Sequence, residues 1–156
     1  MNSYSDKIQG FFSEFGMGRK MVLSTSENNR VSSRMMSVVQ IDGAFFLQTD
    51  IKLRKYHQIC ANDNVALCID NIQIEGKCTE IGHPLDNPRF CEVFQEIFKG
   101  SYDAYSKLEN ERLFVIKPLY IERWVYKDGI PYIESFDLEK QQYSFKQYTG
   151  LSQGAV

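Results

Sequence analysis

The hydrophobic positions along this chain change their period several times, and each change predicts a new element. Residues 3–15 carry large apolar side chains at helical spacing and are followed by Gly16 and Gly18, which predicts a helix that stops near residue 16. The apolar positions of this helix are Tyr4, Ile8, Phe11, Phe12 and Phe15.

Short apolar runs bounded by turn residues predict a series of strands after this helix. Asp42-Gly43 is the strongest turn signal, because both central residues of a two-residue hairpin turn need positive φ, and Asp128-Gly129 repeats it. Gly76 lies in mid-strand, which predicts a bulge or a close backbone approach, and Pro118 is expected to end its strand. The predicted strands are 20–26, 31–41, 44–49, 65–70, 72–81, 112–118, 119–127 and 130–138.

Three further helices are predicted between and after these strands. One follows Asp50, a plausible N-cap, over about 50–62, and another begins with Asn87 as its cap and ends before Gly100. A helical stretch is also expected over 103–110. Short hairpin-linked strands with few helices indicate a mainly β (α+β) protein, an antiparallel barrel with peripheral helices, in one domain over 1–156.

The turn at Asp42-Gly43 also fixes which residues of its two strands oppose each other. It pairs Ser37 with Gln48 and Met36 with Thr49. Because side chains alternate along a strand, one face of the hairpin carries a cation and a hydroxyl group at the same end. The residues predicted to share that face are Arg34, Met36, Val38, Phe45, Leu47 and Thr49.

A run of cations follows this hairpin, at the start of the predicted helix. Lys52, Arg54 and Lys55 would lie where the helix dipole is already positive, which disfavours cations unless an anion is bound. Free N–H groups, the dipole and the cations would together bind a phosphate, with Arg34 and Thr49 nearby. The alternative is a basic face that is simply exposed to solvent.

Composition limits where such an anion site can be and which partners are excluded. The 156 residues carry a net charge of −2 and have a pI near 5.7, which argues against nucleic acid or an anionic membrane as the main partner. The start of the sequence has no signal-peptide pattern, and no apolar run approaches the length of a membrane span, so a cytoplasmic location is expected. Any basic site must therefore be local.

The sequence lacks the common motifs of metal sites, of nucleophilic catalysis and of nucleotide binding. Four cysteines form no C-x-x-C pair and are expected to be reduced thiols rather than ligands of a metal. Neither a G-x-S-x-G elbow nor a G-x-G-x-x-G or P-loop sequence occurs, and only His57 and His83 are available as bases. Any catalysis would have to be carried out by a bound cofactor.

The order of several short motifs resembles the pyridoxamine 5′-phosphate oxidase-like, FMN-binding split-barrel family. The sequence reads R-x-x-S-x-V, Asp-Gly, F-x-x-T, K-x-x-x-I and N-x-x-V-A-L in turn, well matched over about 20–82 and more loosely over 111–129. Gly76 also has its counterpart in the family's strands. The matching positions are Arg34, Ser37, Val39, Asp42-Gly43, Phe46, Thr49, Lys55, Ile59, Asn62 or Asn64, and 65–67.

This resemblance implies a homodimer that holds FMN at the subunit interface. Arg34 and Lys55 would bind the phosphate, assisted by Thr49, Lys52 and Arg54. Backbone groups of Met35, Met36 and Ser37 would face the isoalloxazine edge, and Gln48 would bond the ring or the ribityl chain. Trp124, the single tryptophan, would approach the flavin of the other subunit or pack in the core or interface.

The resemblance implies a flavin oxidoreductase or reductase that acts on an unidentified small molecule. Oxidation of pyridoxamine phosphate itself is not expected, because the chain has no C-terminal R-L-x-P-like segment for that substrate. Two alternatives stay open: a flavin carrier or redox sensor without turnover, and the same fold with haem or a deazaflavin as ligand. A cavity closed over by residues 98–110 would favour the carrier, and an open cleft would favour the enzyme.

Overall fold

Eight antiparallel strands form one continuous sheet in the computed structural model, which describes residues 3–150. All of the predicted strands are present, with 112–118 and 119–127 joined into one, and a further strand follows them near the C-terminus. The strands are β1 (Gly18–Glu27), β2 (Arg30–Ile41), β3 (Ala44–Asp50), β4 (Asn64–Ile69), β5 (Ile72–Glu80), β6 (Glu111–Lys127), β7 (Ile130–Asp137) and β8 (Gln142–Gln147).

Six of these strands close into a barrel. The sheet order is β3-β2-β1-β4-β5-β6-β7-β8, and an additional pairing of β3 with β6 joins the two ends of the barrel portion. The strands β7 and β8 extend the sheet from the C-terminal half of β6. This architecture confirms the predicted antiparallel split barrel.

Helices surround the barrel and fill one of its openings. Phe11 and Phe15 of the first helix belong to the barrel core, where Phe15 meets Phe45 edge to face at 5.3 Å between ring centroids. A second apolar cluster packs Phe90 and Phe94 of the third helix against the outside of the sheet. The helices are α1 (Ser3–Phe15), α2 (Arg54–Ala61), α3 (Pro88–Ile97) and α4 (Lys99–Ser101), and α4 continues into a π-helical turn, Tyr102–Ser106.

Two of the predicted helix boundaries are wrong. Asp50 does not cap α2, because its carboxylate accepts the Lys52 N–H at 2.7 Å and closes a separate turn, so that α2 begins only at Arg54. The helical stretch predicted over 103–110 ends at Ser106, and residues 107–110 form turns.

Gly76 lies at the predicted bulge, and that bulge also explains an error at Pro118. The β5–β6 register shifts between Glu75 and Gly76, which oppose Tyr120 and Pro118. A Cβ atom on Gly76 would lie 2.6 Å from the Lys117 carbonyl oxygen, so only glycine fits. Pro118 therefore does not end the strand, since a bulge is one of the places where a strand tolerates the missing N–H.

The β2–β3 hairpin has the predicted register but separates earlier than expected. Its ladder holds three pairs, ending at Val39 and Phe46. Beyond that point β2 stays with β1 while β3 pairs with β6. Ser37 therefore does not oppose Gln48 and Met36 does not oppose Thr49, so both predicted pairs are wrong. The inward face is confirmed, because Met36, Val38, Phe45 and Leu47 all belong to the barrel core.

Candidate functional site

A cavity of about 440 Å³ lies where β2 and β3 separate. Its volume is within the range of small-molecule sites. The separation of the strands exposes their backbones and side chains to the cavity, while α2, the helical segment after α3 and the start of β6 supply the remaining walls. The lining residues are Met35, Met36, Ser37, Gln48, Thr49, Asp50, Leu53, Lys55, Phe94, Ser101, Tyr105, Leu108 and Glu111.

The structure brings most of the predicted site residues to this cavity and leaves others outside its walls. Arg34 lies beside Lys55 without lining the cavity, while Lys52 is exposed in the turn before α2. Arg54 faces a neighbouring surface depression, and Trp124 lies on the C-terminal half of β6. The predicted residues that do line the cavity are Met35, Met36, Ser37, Gln48, Thr49 and Lys55.

Thr49 presents a buried hydroxyl group that no protein atom satisfies. The residue is 2% exposed, and its Oγ1 atom has no hydrogen-bond partner within the described residues. A buried polar group without a partner costs about 1–3 kcal/mol. Because Thr49 lines the cavity, a ligand that bonds this hydroxyl would remove that cost.

Three cations, Arg34, Arg54 and Lys55, lie close enough to influence one another, and Lys55 among them lines the cavity. Burial lowers the pKa of Arg34, and the charge of Arg54 lowers it further. Burial and then Arg34 lower the pKa of Lys55, while Glu111 partly opposes them. Across residues 3–150, no carboxylate lies within ion-pair distance of any of the three cations. This charge arrangement favours a bound anion.

Hydrogen bonds to residues of β1 and α2 hold the Arg34 guanidinium in place. Its Nη1 donates to the Leu23 carbonyl oxygen at 3.2 Å and to Thr25 Oγ1 at 2.9 Å, and its Nη2 donates to Gln58 Oε1 at 2.6 Å. The Nε–H and the second Nη2 hydrogen have no acceptor among the described residues. Arg34 is therefore oriented by the protein and still has donors for a ligand.

Lys55 is held more loosely than Arg34. Among the residues that the structure describes, its ammonium group donates only to the Met36 thioether sulfur, at 3.5 Å. A thioether is a weak acceptor, so most of the hydrogen-bonding capacity of Lys55 is available to an occupant of the cavity.

Two residues that the sequence analysis missed organise the opposite wall. Ser106 donates from its hydroxyl group to Gln48 Oε1 at 2.7 Å, which fixes the Gln48 side chain. Glu111 is buried, and burial, followed by the negative charge of Asp50, raises its pKa to about 7 against the effect of Lys55. No local signal marks Glu111, which follows the polar run "KLEN".

Large apolar side chains surround the entrance of the cavity. Met35, Leu53, Tyr105 and Leu108 all line it and are all exposed to solvent. An exposed apolar rim around a partly charged cavity suits a ligand that has both a flat apolar part and an anionic part.

Trp124 lies away from these walls. It is exposed on β6 and meets Tyr148 edge to face, with 5.1 Å between the ring centroids. Its predicted role depends on a second subunit.

The profile of the pyridoxamine 5′-phosphate oxidase family matches residues 5–125. The chain belongs to this family. Comparison with curated proteins found no match. No helix within residues 3–150 has the length and apolar character needed to cross a bilayer.

Solved structures of similar fold have low sequence identity to this chain. General stress protein 26 of Bacillus anthracis is 22% identical, with a TM-score of 0.57, and the match covers 78% of this chain and 92% of that one. A pyridoxamine 5′-phosphate oxidase-related, FMN-binding protein of Nostoc punctiforme is 15% identical, with a TM-score of 0.61 and coverage of 83% and 87%. The heme storage protein HutZ of Vibrio cholerae is 18% identical, with a TM-score of 0.57 and coverage of 74% and 89%.

Proposed function

We propose that the cavity binds FMN and that the protein is a flavin oxidoreductase or reductase. The observation that carries this proposal is the hydroxyl of Thr49, which has no partner among the described residues, in a cavity that Lys55 also lines and beside which Arg34 lies. FMN has a dianionic phosphate and a flat ring; Lys55, with Arg34 beside it, would suit the phosphate, and the apolar rim would suit the ring. In this proposal Arg54 and Lys52 add longer-range positive charge.

The remaining lining residues would position the ring of the cofactor. Met35, Met36 and Ser37 belong to the stretch of β2 that has separated from β3, so their backbone groups are available to a ligand on that side. Gln48, oriented by Ser106, would bond the ring or the ribityl chain. The flavin would supply the hydride chemistry, and the chain would supply orientation, charge and exclusion of water.

The proposal includes a homodimer in the cytoplasm. Under this proposal each cavity would be completed by the second subunit, whose Trp124 would approach the ring. The apolar side chains at the cavity entrance would then be covered in part by the partner.

A direct test measures FMN affinity in two variants that remove the proposed phosphate ligands. We expect Arg34→Ala or Lys55→Ala to weaken FMN binding by about 1.5–3 kcal/mol, the scale of hydrogen bonds to charged groups. Lys140→Ala, at an exposed turn between β7 and β8, is the matched control and should bind FMN as the parent does. Unchanged affinity in both site variants would reject the phosphate assignment.

The identity of the natural ligand is tested by the absorbance spectrum of the purified protein, followed by mass identification of what it releases. Release of FMN supports the proposal. Release of haem or a deazaflavin would overturn the cofactor assignment while leaving the anion-binding cavity in place.

A flavin carrier or redox sensor without turnover is the second candidate. It is favoured by Ser101, Tyr105 and Leu108, through which the segment after α3 forms a wall of the cavity and restricts access to it. Flavin reduction by NAD(P)H and reoxidation by candidate acceptors separates the two functions. Turnover with any donor supports the enzyme, and FMN binding without turnover supports the carrier.

A further inference from the structure

Glu111 is a buried carboxyl group on the cavity wall that has no hydrogen-bond donor. It is 5% exposed and lines the cavity, and across residues 3–150 its side chain makes no hydrogen bond and no ion pair. Burial of an ionised carboxylate without such partners is unfavourable, and a group in this position commonly takes up a proton instead.

The charges around Glu111 come from three neighbouring elements, and most of them do not stabilise its ionised form. Asp50 of β3 pairs directly opposite Glu111 in the ladder, and like charges in that position repel each other. Lys55 of α2 attracts the ionised carboxylate, and Arg34 of β2 in turn disfavours the charge on Lys55.

Other polar groups near Glu111 do not bond its carboxylate. The adjacent Arg112 guanidinium donates to the backbone carbonyl oxygens of Glu109 and Glu111. Tyr105, from the π-helical turn, lines the same cavity without a hydrogen bond to Glu111. The carboxyl group therefore has a pKa of about 7, so that it is partly protonated near neutral pH.

We propose that Glu111 takes up a proton when a ligand fills the cavity and then donates that hydrogen, as a neutral acid, to an acceptor atom of the ligand. Three effects of the ligand favour the protonated form of Glu111. The ligand removes the remaining water from the carboxylate, a phosphate adds negative charge nearby, and the same phosphate neutralises Lys55. The proton comes from solvent, and no covalent bond to carbon changes.

This inference rests on the proposed function, because FMN is the ligand named for the test. The dissociation constant for FMN is measured from pH 5.5 to 8.5 for the parent protein and for Glu111→Gln. The ionisation of the FMN phosphate affects both proteins equally and cancels in the ratio of the two constants. Glu109→Gln, two residues away and exposed, is the matched control.

We expect the ratio of the parent dissociation constant to the Glu111→Gln constant to rise about tenfold between pH 6 and pH 8, because the parent must acquire a proton in order to bind. The Glu109→Gln protein should follow the parent at every pH. A ratio that is independent of pH, or that falls as the pH rises, would overturn the inference and leave the proposed function standing. Absence of FMN binding by the parent would overturn both.

A measurement on the parent protein alone covers the case in which Glu111→Gln does not fold. Calorimetric titration with FMN at pH 8, in buffers of different ionisation enthalpy, should report uptake of close to one proton. The FMN phosphate is already ionised at that pH, so it does not contribute. Binding without proton uptake would overturn the inference.

The ligand-free protein offers a third readout. The pKa of Glu111 is raised from 4.5 to about 7 by folding, so its contribution to stability is present below pH 4.5 and is lost as the pH rises through 7. Glu111→Gln should therefore become more stable than the parent across this interval, as measured by thermal unfolding. The stability of Glu109→Gln relative to the parent should not change across this interval. A constant difference between parent and Glu111→Gln would contradict the raised pKa on which the proposal draws.

Discussion

Two buried threonine side chains near the cavity differ in one respect, which is whether their hydroxyl groups are bonded. Thr25 Oγ1 accepts from Arg34 and donates to Gln58 Oε1 at 2.8 Å. Thr49 Oγ1, equally buried, has no partner among the described residues. A protein selected for stability alone would not retain an unbonded buried hydroxyl, so Thr49 is best explained by a ligand.

Thr49→Val should therefore have opposite effects on stability and on binding. We expect the ligand-free protein to gain about 1 kcal/mol in unfolding free energy, because the unsatisfied hydroxyl is replaced by a methyl group of similar size. Affinity for FMN should fall about tenfold. Chemical denaturation and FMN titration measure the two effects.

Thr25→Val is the control for this experiment. It removes a bonded hydroxyl from the same barrel interior, so it should lower the unfolding free energy by about 1–2 kcal/mol. If Thr49→Val destabilised the ligand-free protein as much as Thr25→Val does, the hydroxyl of Thr49 would have a structural partner after all.

At the scale of the elements, β6 is the strand that joins the barrel to the rest of the sheet. Its N-terminal part pairs with β3 and closes the barrel, and its C-terminal part pairs with β7 and leaves the barrel. The bulge at Gly76 and Pro118 lies between these two parts. It allows a single strand to belong to both portions of the sheet.

Gly76→Ala should destabilise the protein by about 1–3 kcal/mol, because its Cβ atom would contact the Lys117 carbonyl oxygen and the side chain of Ile116. Gly10→Ala, in the exposed middle of α1, should instead stabilise it by about 1 kcal/mol, because the added carbon would meet no atom within 4 Å apart from the local helix backbone. Denaturant unfolding measures both. Equal effects in the two variants would show that the bulge does not require glycine.

The turns explain which strands could be predicted from the sequence. Asp42, Asp70 and Asp128 each have a φ of 51 to 53°, and all three stand before Gly or Asn in dipeptides that signal a hairpin. Gln141, at the turn before β8, has a φ of 54° without any such signal, and β8 was missed. The early separation of β2 from β3 was also missed, because it is decided by the distant strand β6.

At the scale of the whole molecule, the cavity is assembled from segments that are far apart in the sequence. Six of the ten predicted site residues line it, because hairpin register and the adjacent helix follow from local signals. Glu111 could not be predicted in this way, since it reaches the cavity only when β6 closes the barrel against β3. The hydrogen bond from Ser106 to Gln48 likewise joins residues that are far apart in the sequence. The proposed contribution of a second subunit would likewise be a property of the assembly.

Trp124→Ala tests that contribution. We expect it to weaken FMN binding by about 0.5–1.5 kcal/mol, the scale of an aromatic contact, while Tyr126→Ala, exposed two residues along the same strand, should not. Analytical ultracentrifugation of the parent should show a dimer. A monomer that binds FMN with full affinity, or equal losses in the two variants, would contradict a site shared between subunits.

The hydrogen bond from Arg34 to Gln58 has a further consequence for local unfolding at the site. The helix α2 has eight residues and no side-chain N-cap, so it is marginal by itself and depends on anchors such as Gln58 and the buried Ile59. Unwinding of α2 would carry Lys55 away and, in the same event, remove the acceptor that orients Arg34. Amide hydrogens of residues 54–61 should therefore exchange with deuterium together, and a bound anion should slow them together.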